Sequence, residues 1–308
     1  MWAAPRLNSW RWRSRFGSAA VFHVKHAAPF CFVPSSGRGI LPIQRERATT
    51  RIIAIANQKG GVGKTTTAVN LAACLAAAER RTLLLDIDPQ GNATSGLGFA
   101  QAAGPGVYEL LAGEAKVAEA ARPTSVPGLD LVPASDRLIG AELELASAPR
   151  REARLKEALN VEAEGYAYVV IDCPPSLGLL TVNALTAAHS VLIPLQCEYY
   201  ALEGLARIID AVRLCRMRLN PGLAIEGIVL TMYDARLNLC EQVEQEVRRH
   251  FPREVFRTVI PRNVRLSEAS SFGKPVILYD IRSAGAEGYL RLAKEIIDGA
   301  AKSSRQGT

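Results

Sequence analysis

Residues 58–66 of this 308-residue chain read Gln-Lys-Gly-Gly-Val-Gly-Lys-Thr-Thr. An apolar, β-branched run from Arg51 to Asn57 precedes them and predicts a buried strand, and an Ala-rich run from Thr67 to Glu79 follows and predicts a helix. Where a glycine turn joins a strand to a helix, successive backbone N–H groups and the helix N-terminus converge on phosphate oxygens. The stretch therefore predicts a phosphate-binding loop for a nucleoside triphosphate.

Three side chains of this loop refine the prediction. Lys64 is placed to reach the β and γ phosphates, and Thr65 is placed to offer its hydroxyl to Mg²⁺. The standard loop has glycine where Gln58 stands, and this one has a second lysine, Lys59, at its start. A turn that merely joined two elements would need neither lysine. The Lys-Gly-Gly-Val-Gly-Lys-Thr-Thr pattern resembles the deviant Walker A loop of the ParA/MinD family of ATPases.

Two further apolar runs end in carboxylates, as buried parallel strands do at the ligand-binding edge of a doubly wound sheet. They are residues 82–88, ending in Asp86 and Asp88, and residues 168–172, ending in Asp172. The resemblance implies that Asp88 orients the attacking water and that Asp172 holds the Mg²⁺ shell through water. The alternative is local: Asp88 caps a turn, and Asp172 caps the helix predicted from Leu179 to His189.

The C-terminal half extends the resemblance to the chromosomal ParA/Soj branch, so that it covers Arg51 to about Ala300. The apolar patterns predict three more strands, at residues 190–196, 225–232 and 255–260. They also predict a closing helix at residues 286–300. Arg236 and Arg265 match loop positions where Soj-like proteins place arginines that contact DNA phosphates without reading sequence. For any surface arginine, the alternative is a solvated side chain or a local salt bridge.

Strands that alternate with helices predict an α/β fold, with a doubly wound, mostly parallel sheet and helices on both faces. We expect residues 51–308 to form one P-loop ATPase domain. The resemblance implies that Lys59 and Asp88 act in catalysis and that Thr65 and Asp172 hold Mg²⁺. It also implies that nucleotide is bound by Lys59, Gly60, Gly61, Val62, Gly63, Lys64, Thr65, Thr66 and Asp172.

The resemblance further implies ATP and Mg²⁺ as cofactors and slow hydrolysis of ATP. Two ATP-bound copies are expected to close face to face, with Lys59 of each reaching the other's phosphates. This homodimer is expected to bind non-specific DNA through Arg236 and Arg265, and a ParB-like protein is expected to stimulate hydrolysis and release. The protein would then be cytoplasmic and nucleoid-associated, with no membrane partner.

The formal net charge of +7 does not by itself support DNA binding. Residues 1–50 contain eight Arg or Lys and one acid, which accounts for all of it, and the remaining 29 basic and 29 acidic residues cancel. Any DNA affinity of residues 51–308 must therefore come from a local patch.

Residues 1–50 are expected to be disordered or a mis-annotated extension. Their Arg-rich, acid-poor composition could pass for a transit peptide, and a helix-turn-helix domain would need more length. Residues 21–26, VFHVKH, can be encoded by GTGTTTCACGTGAAACAT, which contains a palindrome matching the centromere-like site of the resembled family. We hypothesise that residues 1 to about 40 or 50 are upstream DNA translated from a start codon set too early. An intact-mass measurement showing that the native protein begins at Met1 would refute this hypothesis.

Two other functions share the loop. A MinD-like membrane-cycling regulator would need a C-terminal amphipathic helix with basic and bulky apolar faces, whereas residues 299–308 are small and polar. A metal-cluster carrier ATPase would need a C-terminal CxxC. The cysteines have no such spacing and are expected to be reduced packing residues: Cys31, Cys74, Cys173, Cys197, Cys215 and Cys240.

Overall fold

The computed structural model describes residues 50–100, 104–162 and 165–306, so the expectations for residues 1–49, Cys31 included, lie outside the described residues. Seven strands in the described part form one sheet in the order β3-β4-β2-β5-β1-β6-β7. All neighbours are parallel except β3 and β4. The strands are β1 (Arg51–Ile55), β2 (Thr82–Asp86), β3 (Arg122–Pro123), β4 (Leu129–Val132), β5 (Tyr168–Asp172), β6 (Ser190–Gln196) and β7 (Ala224–Thr231).

Helices connect the parallel strands and pack on the sheet. In chain order they are α1 (Lys64–Ala77), α2 (Asn92–Gly96), α3 (Val107–Ala112), α4 (Val117–Ala120), α5 (Leu138–Glu144), α6 (Arg154–Glu162), α7 (Leu179–Ala187), α8 (Ala201–Arg218), α9 (Asn238–His250), α10 (Val264–Ser271), α11 (Val276–Tyr279) and α12 (Ala284–Gln306). Two 3₁₀ turns, Leu145–Ser147 and Arg151–Ala153, precede α6. The predicted doubly wound, mostly parallel fold is confirmed.

The core has two halves, one on each face of the sheet. Along β1, Ile52 and Ala54 pack into one half, and Ile53 and Ile55 pack into the other. All four side chains are buried because helices cover both faces. Five cysteines are free and buried in this core, as expected for packing residues: Cys74, Cys173, Cys197, Cys215 and Cys240.

The prediction of a strand at residues 255–260 is wrong. The segment runs beside β7 and makes only isolated bridges, at Val255 and Pro261. Its central N–H groups turn away from the sheet, because the Glu295 carboxylate on α12 accepts hydrogen bonds from the backbone N–H of Arg257 (2.8 Å) and Thr258 (3.1 Å). Phe256 and Ile260 still donate to β7 carbonyl oxygens (2.9 and 2.8 Å), but the Thr258 N–H between them, which would face β7 in a continuous strand, donates to Glu295 instead.

Glu295→Ala is expected to lower the free energy of unfolding by about 1 kcal/mol, because two backbone donors lose a charged acceptor and fall back on water. Urea unfolding measures the change. The control is Asp298→Ala, which removes an exposed acid of the same helix. Equal unfolding midpoints for the two variants would contradict this role of Glu295.

Candidate functional site

The loop between β1 and α1 has the backbone shape that phosphate binding requires. Gly61 (φ 75°) and Gly63 (φ 84°) adopt the left-handed conformation, which glycine accepts without strain. A Cβ at Gly60 or Gly61 would meet nothing within 4 Å, so other atoms do not crowd these two glycines. Helix α1 begins at Lys64, so the loop leads directly into the N–H groups of the first helical turn. Loop and helix therefore offer a cluster of backbone donors to an anion.

Two side chains outside the motif hold the loop in place. Asn57 donates from Nδ2 to the carbonyl oxygen of Pro194 on β6 (2.8 Å), and its Oδ1 accepts from the Lys59 N–H (3.0 Å). Thr231, the last residue of β7, donates from Oγ1 to the carbonyl oxygen of Val62 (2.9 Å). The sequence analysis did not identify either residue. Asn57 could have been found as a buried amide at a strand end, but nothing in the sequence pairs Thr231 with the loop.

Lys64 lies in the middle of the site. Its side chain is buried, and Nζ donates to the carbonyl oxygen of Lys59 (3.0 Å). Burial lowers the pKa of Lys64, while the nearby carboxylates of Asp172 and Asp88 act in the opposite direction. The structure thus brings together the lysine and the two carboxylates that the sequence analysis selected, although they are far apart in the chain.

Asp172 is the least satisfied group of the site. The residue is fully buried at the end of β5, and within the described residues neither carboxylate oxygen makes a hydrogen bond of good geometry. The Thr65 hydroxyl lies close enough to act as a weak donor that opposes the rise in the pKa of Asp172. Burial, and then the charge of neighbouring Asp86, raises the pKa of Asp172 well above the ordinary value for an aspartate. Retaining such a carboxylate is costly unless a cation compensates for it.

These features fit a magnesium nucleotide. In the described residues, no group of three or more His, Cys, Asp or Glu side chains is arranged to hold a metal ion. Mg²⁺ commonly takes one or two protein ligands and completes its octahedron with phosphate and water. Thr65 and Asp172, beside an open donor loop and a buried lysine, match that requirement.

Asp88 lies in a loop that Asp86 organises. The Asp86 carboxylate accepts from the Asp88 N–H (3.3 Å) and from the N–H and hydroxyl of Thr94 (2.7 Å each). Burial raises the pKa of Asp86 to about 6. Asp88 itself accepts from the Gln90 N–H (3.0 Å), so the turn-capping role considered above is present. Its carboxylate still lies near enough to Lys64 to influence that lysine's pKa.

Lys59, the second lysine of the loop, is paired with an acid from outside the loop. Its Nζ forms an ion pair with the Glu198 carboxylate, just beyond β6. The Lys59 side chain is 35% exposed and that of Glu198 is 43% exposed, so the pair lies at the rim of the site. An exposed ion pair of this kind is weak and separates readily. Glu198 was not assigned a role in the sequence analysis.

Arg236 lies in the loop after β7, whereas Arg265 lies in the first turn of α10 and not in the loop expected from the sequence. The segments that carry them are neighbours. The Tyr233 N–H donates to the Ile260 carbonyl oxygen, and the Arg262 N–H donates to the Tyr233 carbonyl oxygen, both at 3.0 Å. Both predicted arginines are exposed, and both make local ion pairs, Arg236 with Asp234 (2.7 Å) and Arg265 with Glu268 (2.7 Å). The salt-bridge alternative raised from the sequence is therefore present in the structure.

Comparison with known proteins places this site in a family. A protein-family model described as "AAA domain" matches residues 50–225. The sporulation initiation inhibitor protein Soj of Bacillus subtilis is 60% identical over 247 residues, which are 80% of this chain and 98% of the relative. The chain belongs to the ParA/Soj family.

Other ParA/Soj-type proteins support the same placement. The chromosome partitioning protein ParA of Myxococcus xanthus is 58% identical over 263 residues, which are 85% of this chain and 92% of that protein. Among solved structures, cobyrinic acid a,c-diamide synthase of Mycobacterium smegmatis, with bound ATP analog and magnesium, matches with a TM-score of 0.72 and 37% identity. The match covers 84% of this chain and 98% of that one.

No helix in the part of the ParA/Soj chain that the structure describes has both the length and the apolar character needed to cross a bilayer.

Asp172→Asn is expected to raise the melting temperature of the nucleotide-free chain by about 3–6 °C, because it removes a buried carboxylate that Lys64 compensates only in part. Differential scanning calorimetry without nucleotide measures the shift. The control is Asp130→Asn on β4. The Asp130 carboxylate accepts hydrogen bonds from Tyr166 Oη (2.8 Å) and Arg81 (3.2 Å), so its loss should lower the melting temperature. A lower melting temperature for Asp172→Asn would mean that the carboxylate is satisfied.

Proposed function

We propose that this protein is an ATP-dependent DNA-segregation ATPase. The observation that carries the proposal is the buried carboxylate of Asp172 beside Lys64 and the glycine loop, in a chain 60% identical to Soj. Within the described residues this carboxylate makes no hydrogen bond of good geometry. In this function, ATP with Mg²⁺ controls whether the protein is on or off DNA. The carboxylate belongs to a metal-nucleotide site, and the family connects that site with chromosome partitioning.

The nucleotide site assigns one task to each group. The loop N–H groups from Gly60 to Thr66 and Lys64 hold the phosphates, and Thr65 and Asp172 complete the Mg²⁺ shell. Asp88 places the attacking water, since a carboxylate near the γ phosphate can orient it for in-line attack. Asp86 keeps Asp88 in position through its hydrogen bonds to the loop.

Lys59 acts across the interface of a homodimer. Its ion pair with Glu198 lies at the rim, where a second copy could approach. When two ATP-bound chains face each other, the lysine leaves Glu198 and contacts the partner's phosphates, which supplies a charge in trans as an arginine finger does. Dimerisation and hydrolysis then depend on each other, and turnover is slow until a ParB-like partner stimulates it.

DNA binding uses the surface formed by the loop of Arg236 and by the first turn of α10, which carries Arg265. Arginines that contact only phosphate give affinity without sequence preference, so the expected DNA is non-specific and the expected location is the nucleoid in the cytoplasm. Two copies of this surface on one dimer bind more tightly than one copy, because the second contact is intramolecular. Hydrolysis separates the copies and releases the protein from DNA.

ATP is expected to tighten binding to a random-sequence DNA duplex by at least about tenfold over ADP, because only the ATP state pairs the two surfaces. Fluorescence anisotropy at several salt concentrations measures this, and the affinity should fall as salt rises. The charge of residues 1–50 is the same in every nucleotide state and cannot produce the difference. Equal affinity in all states, together with ATP-dependent pelleting with anionic vesicles, would favour the membrane-cycling alternative.

Three substitutions should separate the steps. Lys64→Ala should lose nucleotide binding. Asp88→Ala should keep ATP binding and DNA binding, but its turnover should fall by roughly a hundredfold. Arg265→Ala should keep the dimer but lose DNA binding. Nucleotide titration, phosphate release, light scattering and DNA anisotropy measure these properties.

The matched control for Arg265→Ala is Arg213→Ala, which removes another exposed, ion-paired arginine, on α8. If both variants bound DNA like the unsubstituted chain, the assignment of Arg265 would be wrong.

A further inference from the structure

The guanidinium of Arg236 is already occupied by a carboxylate. Its Nε and Nη2 donate to the two oxygens of Asp234 (2.8 and 2.7 Å), and the backbone N–H of Arg236 donates to the same side chain (3.1 Å). The Arg236 side chain is 88% exposed, whereas that of Asp234 is 15% exposed. Asp234 thus binds the guanidinium in the bidentate geometry by which arginine also binds phosphate.

The same arrangement recurs at Arg265. Its Nη1 donates to the Glu268 carboxylate (2.7 Å), and its Nε lies 3.4 Å from the carboxylate of Asp280. The hydroxyl of Tyr279 also reaches Glu268 (3.2 Å), which holds this acid in place. Both arginines assigned to DNA therefore carry an acid of the same chain on the groups that would contact phosphate.

Acids accompany the arginines of this surface. Hydrogen bonds from Arg236 lower the pKa of Asp234, and the charge of a third exposed arginine, Arg262, adds to this effect. Four exposed arginines thus stand near three acids: Arg236, Arg262, Arg265 and Arg282 near Asp234, Glu268 and Asp280. Because the acids offset most of the patch and residues 51–308 have no net charge, neither the patch nor the domain attracts DNA strongly from a distance.

We propose that Asp234 and Glu268 compete with DNA phosphate for Arg236 and Arg265 and so hold the DNA affinity of each copy low. This inference rests on the proposed function and concerns the regulation of its DNA surface. We call the two acids the carboxylate clamps.

The exposed position of the pairs makes this competition reversible. An ion pair at the surface contributes little, so a phosphate can displace the acid. The displaced carboxylate then lies near the DNA and opposes its charge, which offsets part of the gain. A single copy therefore binds weakly, and useful affinity requires two copies side by side. The clamps make DNA binding depend more strongly on dimerisation and make release faster when the dimer separates.

The geometry also permits the opposite role, in which Asp234 orients Arg236 toward DNA. Asp234 engages Nε and Nη2, so Nη1 could still contact a phosphate. The two roles differ in sign. If Asp234 competes, removing its charge strengthens DNA binding, and if it orients the arginine, removing its charge weakens DNA binding.

The test compares full-length variants with saturating ATP on a fluorescent random-sequence duplex. Asp234→Asn keeps an oxygen for the Arg236 N–H but removes the charge, and it should tighten binding about tenfold, since two pairs act per dimer and each is worth roughly threefold. The gain from Glu268→Gln should be smaller, because Arg265 keeps Asp280. The slope of affinity against salt should steepen by up to about 2 for Asp234→Asn, as two more phosphates are neutralised.

The matched control is Asp210→Asn, which frees another exposed arginine, Arg213, on α8 (3.3 Å) and changes the net charge equally. It should alter DNA affinity by less than about twofold, since a distant exposed charge is screened. In an Arg236→Ala background, Asp234→Asn should tighten DNA binding by less than it does in the unsubstituted chain, because the arginine for which it competes is gone.

The outcomes separate the inference from the function on which it rests. If the unsubstituted chain binds DNA with ATP and Asp234→Asn binds equally or more weakly, the clamp is overturned and the proposed function stands. If the DNA affinity of Asp234→Asn rises no more than that of Asp210→Asn, the effect comes from net charge alone and the clamp inference is again overturned. If the unsubstituted chain shows no ATP-dependent DNA binding, the proposed function fails and the inference fails with it.

Discussion

The attraction between Lys64 and the carboxylates around it organises the molecule. A lysine and an aspartate buried apart would each lose hydration without compensation. Placing Lys64 at the start of α1 and Asp172 at the end of β5 brings the charges together at one edge of the sheet. The lysine compensates the acids only in part, because the pKa of Asp172 stays well above its ordinary range. The remaining imbalance is what a metal–phosphate group would correct.

Much of this arrangement was predictable, because it depends on local patterns. Apolar runs that end in aspartate mark buried parallel strands, and the carboxyl ends of parallel strands meet at one edge. The loop between β1 and α1, together with Asp88 and Asp172, followed from these rules. The resemblance added roles to these residues, and all of these roles remain predictions, those of Lys64, Thr65 and Asp172 included.

The contacts that the sequence did not predict join distant parts of the chain. Thr231 holds the phosphate loop from across the sheet, and Glu198 pairs with Lys59 although 139 residues separate them. The error at residues 255–260 has the same origin. The apolar pattern there is typical of a strand, but Glu295 on the last helix takes the Thr258 N–H that the sheet would have used. A pattern of polarity does not show which distant side chain competes for a hydrogen bond.

The position of β1 in the sheet has a consequence for synthesis on the ribosome. This strand comes before the other six in the chain, yet it lies between β5 and β6, and its partner for Arg51 is Tyr168. Its two edges stay unpaired until more than a hundred further residues have been made. Sheets with such distant pairings fold slowly, and apolar strands with open edges aggregate. The nascent chain is therefore most vulnerable between the emergence of β1 and that of β5, when protection by a chaperone would matter most.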